Sequence, residues 1–301
     1  MLVVDSGDLF FDLKEVKDPR EELVRARVIA RAYRRMEAVA INVGDLDLSQ
    51  GIEFLRESAA QGIPLISANL MNPATKGLLF PAFVIEQVGK VKVAFFGLTN
   101  PQLPPVVEKA VEGAVLVKEP IQAAKDAVAK LQGKADVVVL LSDLGLAKDL
   151  ELLKVVSGIH LVLGGHEGQY LGTPREEGKG FVFQSYKRGM CLGRLSLTVE
   201  EPGVPFQDGG RYRRIKEQIS ALELRLRTLQ EQRLRQQTQG TERLIQQFLQ
   251  EKAELEGELK QAGGPVSSGN RFLWMLQSVD PELPEDQEVR KWIQEAGIEK
   301  D

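Results

Sequence analysis

Over residues 1–200, short apolar runs alternate with amphipathic stretches. The runs Leu2–Val4, Ala38–Asn42, Pro64–Ala68, Ala82–Val88, Val91–Leu98, Val137–Ser142, Leu161–Leu163, Phe181–Gln184 and Gly193–Val199 predict strands. The stretches Arg20–Arg35, Ser49–Gln61, Pro120–Gly133 and Lys148–Ser157 carry apolar residues at helical spacing. Val137-Val138-Val139-Leu140-Leu141 is apolar on both faces, as a strand between two layers is. Strands alternating with helices predict an α/β domain. Glu86-Gln87-Val88-Gly89-Lys90 has the composition of a tight turn between antiparallel strands, so the sheet is expected to be mixed.

The pattern changes after residue 200. Pro and Gly crowd 201–210, which reads as a linker. Residues 211–262 contain no Pro, and Ile215, Ile219, Leu222, Leu226 and Leu229 follow heptad spacing, which Leu244, Phe248, Leu255 and Leu259 resume. The polar stretch Gln236–Thr241, with Gly240, interrupts them. One long helix or an antiparallel coiled-coil hairpin turning near Gly240 satisfies this pattern. Charge favours the hairpin: Arg211–Arg235 holds eight basic and three acidic residues, Glu242–Lys260 three basic and five acidic. In 263–301, an apolar run at Phe272–Leu276 precedes a helix over Glu285–Ala296, whose Val289, Trp292 and Ile293 share a face. This tail is expected to pack back on the domain or on the hairpin.

Composition narrows the chemistry. The net charge of −4 implies neither nucleic acid nor anionic membrane as a partner, and no run approaches the ~18 apolar residues of a membrane span. A single cysteine, Cys191, allows neither an internal disulfide nor a Cys-based zinc site, and it reads as a core thiol. His160 and His166 are the only histidines, so no site with three imidazoles can be built. His160 reads as structural, and Lys187-Arg188 as a solvated pair. Met1 runs directly into a strand, as expected of a start inside a longer reading frame, a misplaced start codon or a truncation.

Four segments end predicted strands with Gly, Asp or His: Asp5-Ser6-Gly7-Asp8, Asn42-Val43-Gly44-Asp45-Leu46-Asp47, Ser142-Asp143-Leu144-Gly145 and Gly164-Gly165-His166-Glu167-Gly168. Ligands in α/β folds lie at such strand ends. In order and spacing these segments resemble the 5′-nucleotidase branch of the metallophosphoesterases. Pro64-Leu65-Ile66-Ser67-Ala68-Asn69, Gly97-Leu98-Thr99-Asn100-Pro101 and Leu192-Gly193-Arg194-Leu195 add to the likeness. The resemblance covers residues 1–200 and implies a layered α-β-β-α domain with mixed sheets. It also implies an exported, periplasmic location.

The departures from the family pattern bear on function. The family's first strand carries an Asp-x-His motif that nothing here matches. Its loss would open a sheet edge, filled by Phe272–Leu276 or left prone to aggregation. The family's catalytic histidine falls on Leu46, which cannot transfer a proton. Asp143 stands in place of a histidine, and Gly168 in place of a histidine or glutamine. The resemblance leaves Asp8, Asp45, Asp143 and His166 as ligands for one divalent metal, and this oxygen-rich set suits Mg²⁺, Mn²⁺ or Ca²⁺. The alternative is that the acids are solvated and His166 is a turn residue. Full-length relatives bind the base through a C-terminal domain that 211–301 does not resemble. Three functions remain: a binding or scaffold module with a protein partner or self-association through 211–262, a weak metal-dependent phosphoester hydrolase, or a fragment of a longer enzyme.

Overall fold

The computed structural model describes residues 1–12, 19–235, 238–280 and 282–298. In chain order the elements are β1 (Val3–Asp5), α1 (Pro19–Arg35), β2 (Ala38–Asn42), a 3-10 turn at Leu46–Leu48, α2 (Glu53–Ala60), β3 (Leu65–Ile66), β4 (Leu70–Met71), β5 (Phe83–Val88) and β6 (Val91–Leu98). Then come α3 (Pro105–Ala110), β7 (Leu116–Val117), α4 (Pro120–Leu131), β8 (Val137–Ser142), α5 (Leu146–Val155), β9 (Leu161–Gly164), β10 (Arg175–Glu177) and β11 (Gly180–Gln184). The last are β12 (Cys191–Thr198), β13 (Gln207–Asp208), α6 (Arg211–Arg235), α7 (Gln239–Gln261), β14 (Arg271–Ser278) and α8 (Gln287–Glu295). Two compact units result, one of Met1–Gly193 with Met275–Asp301, the other of Arg194–Trp274.

The first unit is a mixed α/β fold. Its smaller sheet has the order β1-β2-β3, all parallel. Its larger sheet has the order β10-β11-β9-β8-β6-β5, with a parallel centre and antiparallel edges at β5 and β10. The hairpin expected at Glu86–Lys90 joins β5 to β6, with Gly89 at φ 61° in its turn. All six residues of β8 are buried, as its two-faced apolar run requires.

Two apolar clusters show how the layers stack. Phe96, Leu140 and Val162 of the larger sheet pack against Ala124 and Ala127 of α4 and Leu152 of α5. Ile41 and Leu65 of the smaller sheet pack against Ala26 of α1, Leu55 of α2 and Val107 of α3. Strand β2 lies against β5, β6 and β8, so the sheets face one another between helices. Burial of such side chains contributes roughly 1.5–3 kcal/mol each.

The C-terminal segment docks on α1. Trp292 is buried beneath the guanidinium of Arg31, 4.1 Å from the ring centroid, and Arg35 pairs with Asp286 at 3.0 Å and with Glu288. Val289, Trp292 and Ile293 are the covered face of α8, as their spacing predicts. Asp286 caps this helix by accepting the Glu288 and Val289 amides. Pro281 lies outside the described residues. Residues Phe272–Leu276 do not lie beside β1: they belong to β14, which sits between β12 and β13.

In the second unit, Asn270 organises the Pro- and Gly-rich segment. Its side chain accepts the Glu200 and Glu201 amides at 2.7 and 3.0 Å and donates to the Glu201 and Val204 carbonyls. Helices α6 and α7 run antiparallel along one another. Glu223 meets Lys252 at 2.8 Å, and Arg233 meets Glu242 at 3.6 Å. Thr238 caps α7, so Gly240 lies inside that helix rather than at the bend; Gln236 and Gln237 lie outside the described residues. The seam on α7 also differs from the expected one. Ile245 is buried, whereas Leu244 is 44% exposed. Ile245, Phe248, Lys252, Leu255 and Leu259 keep a 3-4-3-4 spacing only if a lysine occupies the seam, and the Lys252 ammonium reaches out to Glu223.

Candidate metal centre

Strand β1 hands the chain to Gly7 at φ 114°, and Asp8 follows at φ 56°, left-handed backbone that few non-glycine residues adopt. The next strand end, after β2, comes so close that a Cβ on Gly44 would collide with the amide and carboxyl of Asp8. The two loops are tied by Asp47, which is fully buried. Its carboxylate accepts the amides of Asp8 at 3.0 Å, Phe10 at 2.8 Å and Gly44 at 2.9 Å. The Leu46 amide donates to Asp8 Oδ1 at 2.9 Å.

The larger sheet supplies the other half. The Asp143 amide donates to Leu98 O after β8, and Asp143 Oδ2 accepts the Asp45 amide at 2.7 Å, joining the two sheets' carboxyl ends. After β9 the Gly165 amide donates to Ser142 O at 2.7 Å. His166 then turns through φ 69°. Its Nδ1 faces Asp143 Oδ1 at 3.4 Å, Asp45 Oδ1 at 3.8 Å and Asp8 Oδ2 at 3.9 Å.

All four expected ligands therefore meet. One ligand atom from each of Asp8, Asp45, Asp143 and His166 lies within 4.8 Å of the others. A hard divalent cation bonded at ~2.0–2.6 Å brings opposed ligands ~4–5 Å apart, so the set fits one ion. Asp45 Oδ1 and Asp143 Oδ1 are buried without a hydrogen-bond partner. Such orphaned oxygens are costly unless a cation or a proton answers them. The proton affinities agree. Burial, then the neighbouring charges led by Asp143, pushes Asp8 well above the carboxylate range; burial and the Asp45 charge do the same for Asp143. Burial also raises Asp45, against an opposing pull from His166.

The remaining positions sort as follows. Leu46 is half-buried and contributes its amide, with no side chain able to carry a proton. Gly168 brings no ligand, and a Cβ there would press on Lys187 at 2.7 Å. His160 Nδ1 accepts the Val138 amide at 3.0 Å, a structural task. Lys187 and Arg188 are exposed, Arg188 pairing with Asp12 at 2.8 Å. Cys191 is not a core thiol: β12 alternates half-buried and exposed positions, and the thiol is half-buried with its Sγ 3.9 Å from Ser278 Oγ.

Three supporting residues escaped the sequence reading. Asp47 was visible only as the end of a motif, and burial pushes its carboxyl up to about 7. Asp149, one turn into α5, accepts a hydrogen bond from Ser142 Oγ at 2.5 Å, and burial raises it to about 7. Asn100 contacts His166 Nε2 at 3.2 Å.

No family model matches the chain. Relatives do. The trifunctional nucleotide phosphoesterase YfkN of Bacillus subtilis is 24% identical over 55% of this chain and 13% of its own length. A probable 5′-nucleotidase of Treponema pallidum is 26% identical over 56% of this chain and 34% of its own. The chain thus spans well under half the length of these curated relatives. Among solved structures, the Thermus thermophilus sulfate thiohydrolase SoxB superposes with a TM-score of 0.58 at 26% identity, over 65% of this chain and 36% of that one. The calcineurin-like phosphoesterase YfkN of Bacillus subtilis superposes with a TM-score of 0.63 at 16% identity, over 98% of this chain and 82% of that one, a likeness of fold. This chain is a homologue of the 5′-nucleotidase-type, calcineurin-like metallophosphoesterases and carries their superfamily's fold.

Proposed function

We infer that this homologue has a reduced centre holding one divalent ion, and that it serves as a binding or scaffold module with little turnover of its own. The observation that carries this is Leu46, an apolar side chain where the family places its catalytic imidazole. Asp8, Asp45, Asp143 and His166 would hold Mg²⁺, Mn²⁺ or Ca²⁺. Such an ion supplies Lewis-acid attraction for a phosphoryl oxygen, whereas two-metal phosphoester hydrolysis uses a pair ~3.5–4 Å apart. The described residues offer a single group of this kind. The chain's own residues then bind and orient, and none at position 46 protonates a leaving group.

The interaction surface in this reading is a coiled-coil hairpin of α6 and α7, linked to the α/β domain through 201–210. It leaves Leu224 at 67% and Leu234 at 84% exposure, apolar positions suited to a protein partner or a second copy. The second reading is a weak metal-dependent phosphoester hydrolase, favoured by the convergence of four ligands on one point. Turnover of p-nitrophenyl phosphate with Mg²⁺, Mn²⁺ or Ca²⁺ decides between them. No turnover above that of the Asp8→Ala variant supports the module; turnover abolished by Asp8→Ala defeats it.

A further inference from the structure

Asn100 follows β6 in the turn Leu98-Thr99-Asn100-Pro101 and is buried. Its Oδ1 lies 2.9 Å from Lys148 Nζ and 3.1 Å from the Gln102 amide. Both neighbours only donate, so the atom facing them is the oxygen. Lys148 is held in place by Gln102 Oε1 at 3.0 Å. The NH₂ end of Asn100 is thereby turned to His166, with Nδ2 3.2 Å from Nε2.

An NH₂ group facing an imidazole nitrogen requires that nitrogen to accept. Neutral His166 must then carry its proton on Nδ1. Nδ1 is also the nitrogen that faces the three carboxylates, at 3.4 to 3.9 Å. Metal ligation through Nδ1 needs the reverse, a lone pair on Nδ1 and the proton on Nε2. Metal-bound histidines almost always donate that second proton to an acceptor. Here it would meet a donor. Turning the amide over would set NH₂ against the Lys148 ammonium and the Gln102 amide.

We propose that Asn100 is a positioning residue that sets the His166 tautomer against metal ligation and so lowers the cation affinity of the site. The proposal rests on the reading of this cluster as a divalent-metal site and adds an opposing device built into the chain.

Ring ¹⁵N NMR of the metal-free full chain at pH 8 reads the tautomer directly, because the sequence has only two histidines. His160, whose Nδ1 accepts an amide, supplies the opposite tautomer as an internal standard. The expected result is a proton on Nδ1 of His166. Asn100→Asp puts an acceptor at Nε2; the proton should move there, and Mn²⁺ binding by calorimetry should tighten about 10–100-fold. Because that variant adds a charge, Asn100→Ala is measured beside it. It removes the opposing donor without adding a charge, together with the oxygen that accepts from Lys148 and the Gln102 amide, and should bind Mn²⁺ more tightly than wild type, by a smaller factor. Lys148→Arg keeps the donor and should change neither readout. A proton on Nε2 of wild-type His166, or Mn²⁺ binding no tighter in both Asn100 variants, overturns the proposal. No Mn²⁺ binding in any form, with the tautomer as expected, overturns the metal reading and leaves the Asn100 orientation standing.

Discussion

Asp143→Asn should strengthen the metal-free fold and weaken the metal-bound one. The substitution is isosteric. Its amide oxygen can keep the Asp45 N–H bond while NH₂ takes the place of Oδ1, which has no partner. In the metal-free chain the ligand atoms lie within 4.8 Å of one another, and two unit charges at that separation and an effective dielectric of ~20 repel by ~3.5 kcal/mol. Removing one charged carboxylate relieves at most about that much per pair. Burial and neighbouring carboxylate charges raise the proton affinities of Asp8 and of Asp143 itself, so proton uptake sheds part of this repulsion and the gain is smaller than that ceiling. For a unit of this size ~1 kcal/mol moves the melting temperature by about 2–4 °C, so a rise of about 5 °C or more in EDTA at pH 8 is expected. The same change removes a charged ligand from the cation. Outer-sphere partners alone command about 10–100-fold in affinity, so Mn²⁺ binding by calorimetry should fall by at least ~100-fold. A variant that melts at or below the wild-type temperature in EDTA, or binds Mn²⁺ equally well, would refute the reasoning.

Other expectations follow from the same geometry. Asp47→Ala strands two buried amides and one part-buried amide at about 1–3 kcal/mol for each buried donor, so urea unfolding should show a loss of at least ~2 kcal/mol. Asp149 has a folded pKa raised from 3.8 to about 7. Its protonated form favours the fold, so that contribution is fully present below pH ~4 and is lost as pH rises through ~7, up to ~4 kcal/mol. Asp149→Asn should flatten the unfolding free energy across that window; an unchanged slope would show that Asp149 does not govern it. Trp292→Ala should cost ~3 kcal/mol and free α8 from α1, seen as new proteolytic cleavage after residue 280. Leu224→Glu with Leu234→Glu should lower the sedimenting mass if the hairpin face joins copies of the chain, and leave it unchanged if the face is idle.

The sheet interior was legible because period-2 and two-faced apolar runs are dictated by burial. β2, β6 and β8 have the expected bounds. Short elements were not: α3 has six residues and β4 and β7 two each, too few for a period to register. The α7 seam misled because Lys252 occupies an apolar position with its stem, and a hydropathy pattern skips it. Within the site, the four candidate ligands could be seen because each follows a strand, with a glycine adjacent to Asp8, Asp45 and His166 and two residues beyond Asp143. Asp47, Asn100 and Asp149 could not. Their work is to hold backbone amides, a hydroxyl and one ring nitrogen, and no spacing rule announces which carboxylate or amide will be enclosed by its neighbours.

Asp8 and His166 hold φ values of 56° and 69°, a region where a Cβ costs roughly 1–2 kcal/mol relative to glycine. Alanine at either position removes the side-chain donor but keeps the strain. Glycine removes the side-chain donor and relaxes the backbone together. The difference in unfolding free energy between the glycine and alanine variants measures what the fold gives up to aim these two side chains. That quantity would assign an energy to preorganisation at this centre without any ligand being added.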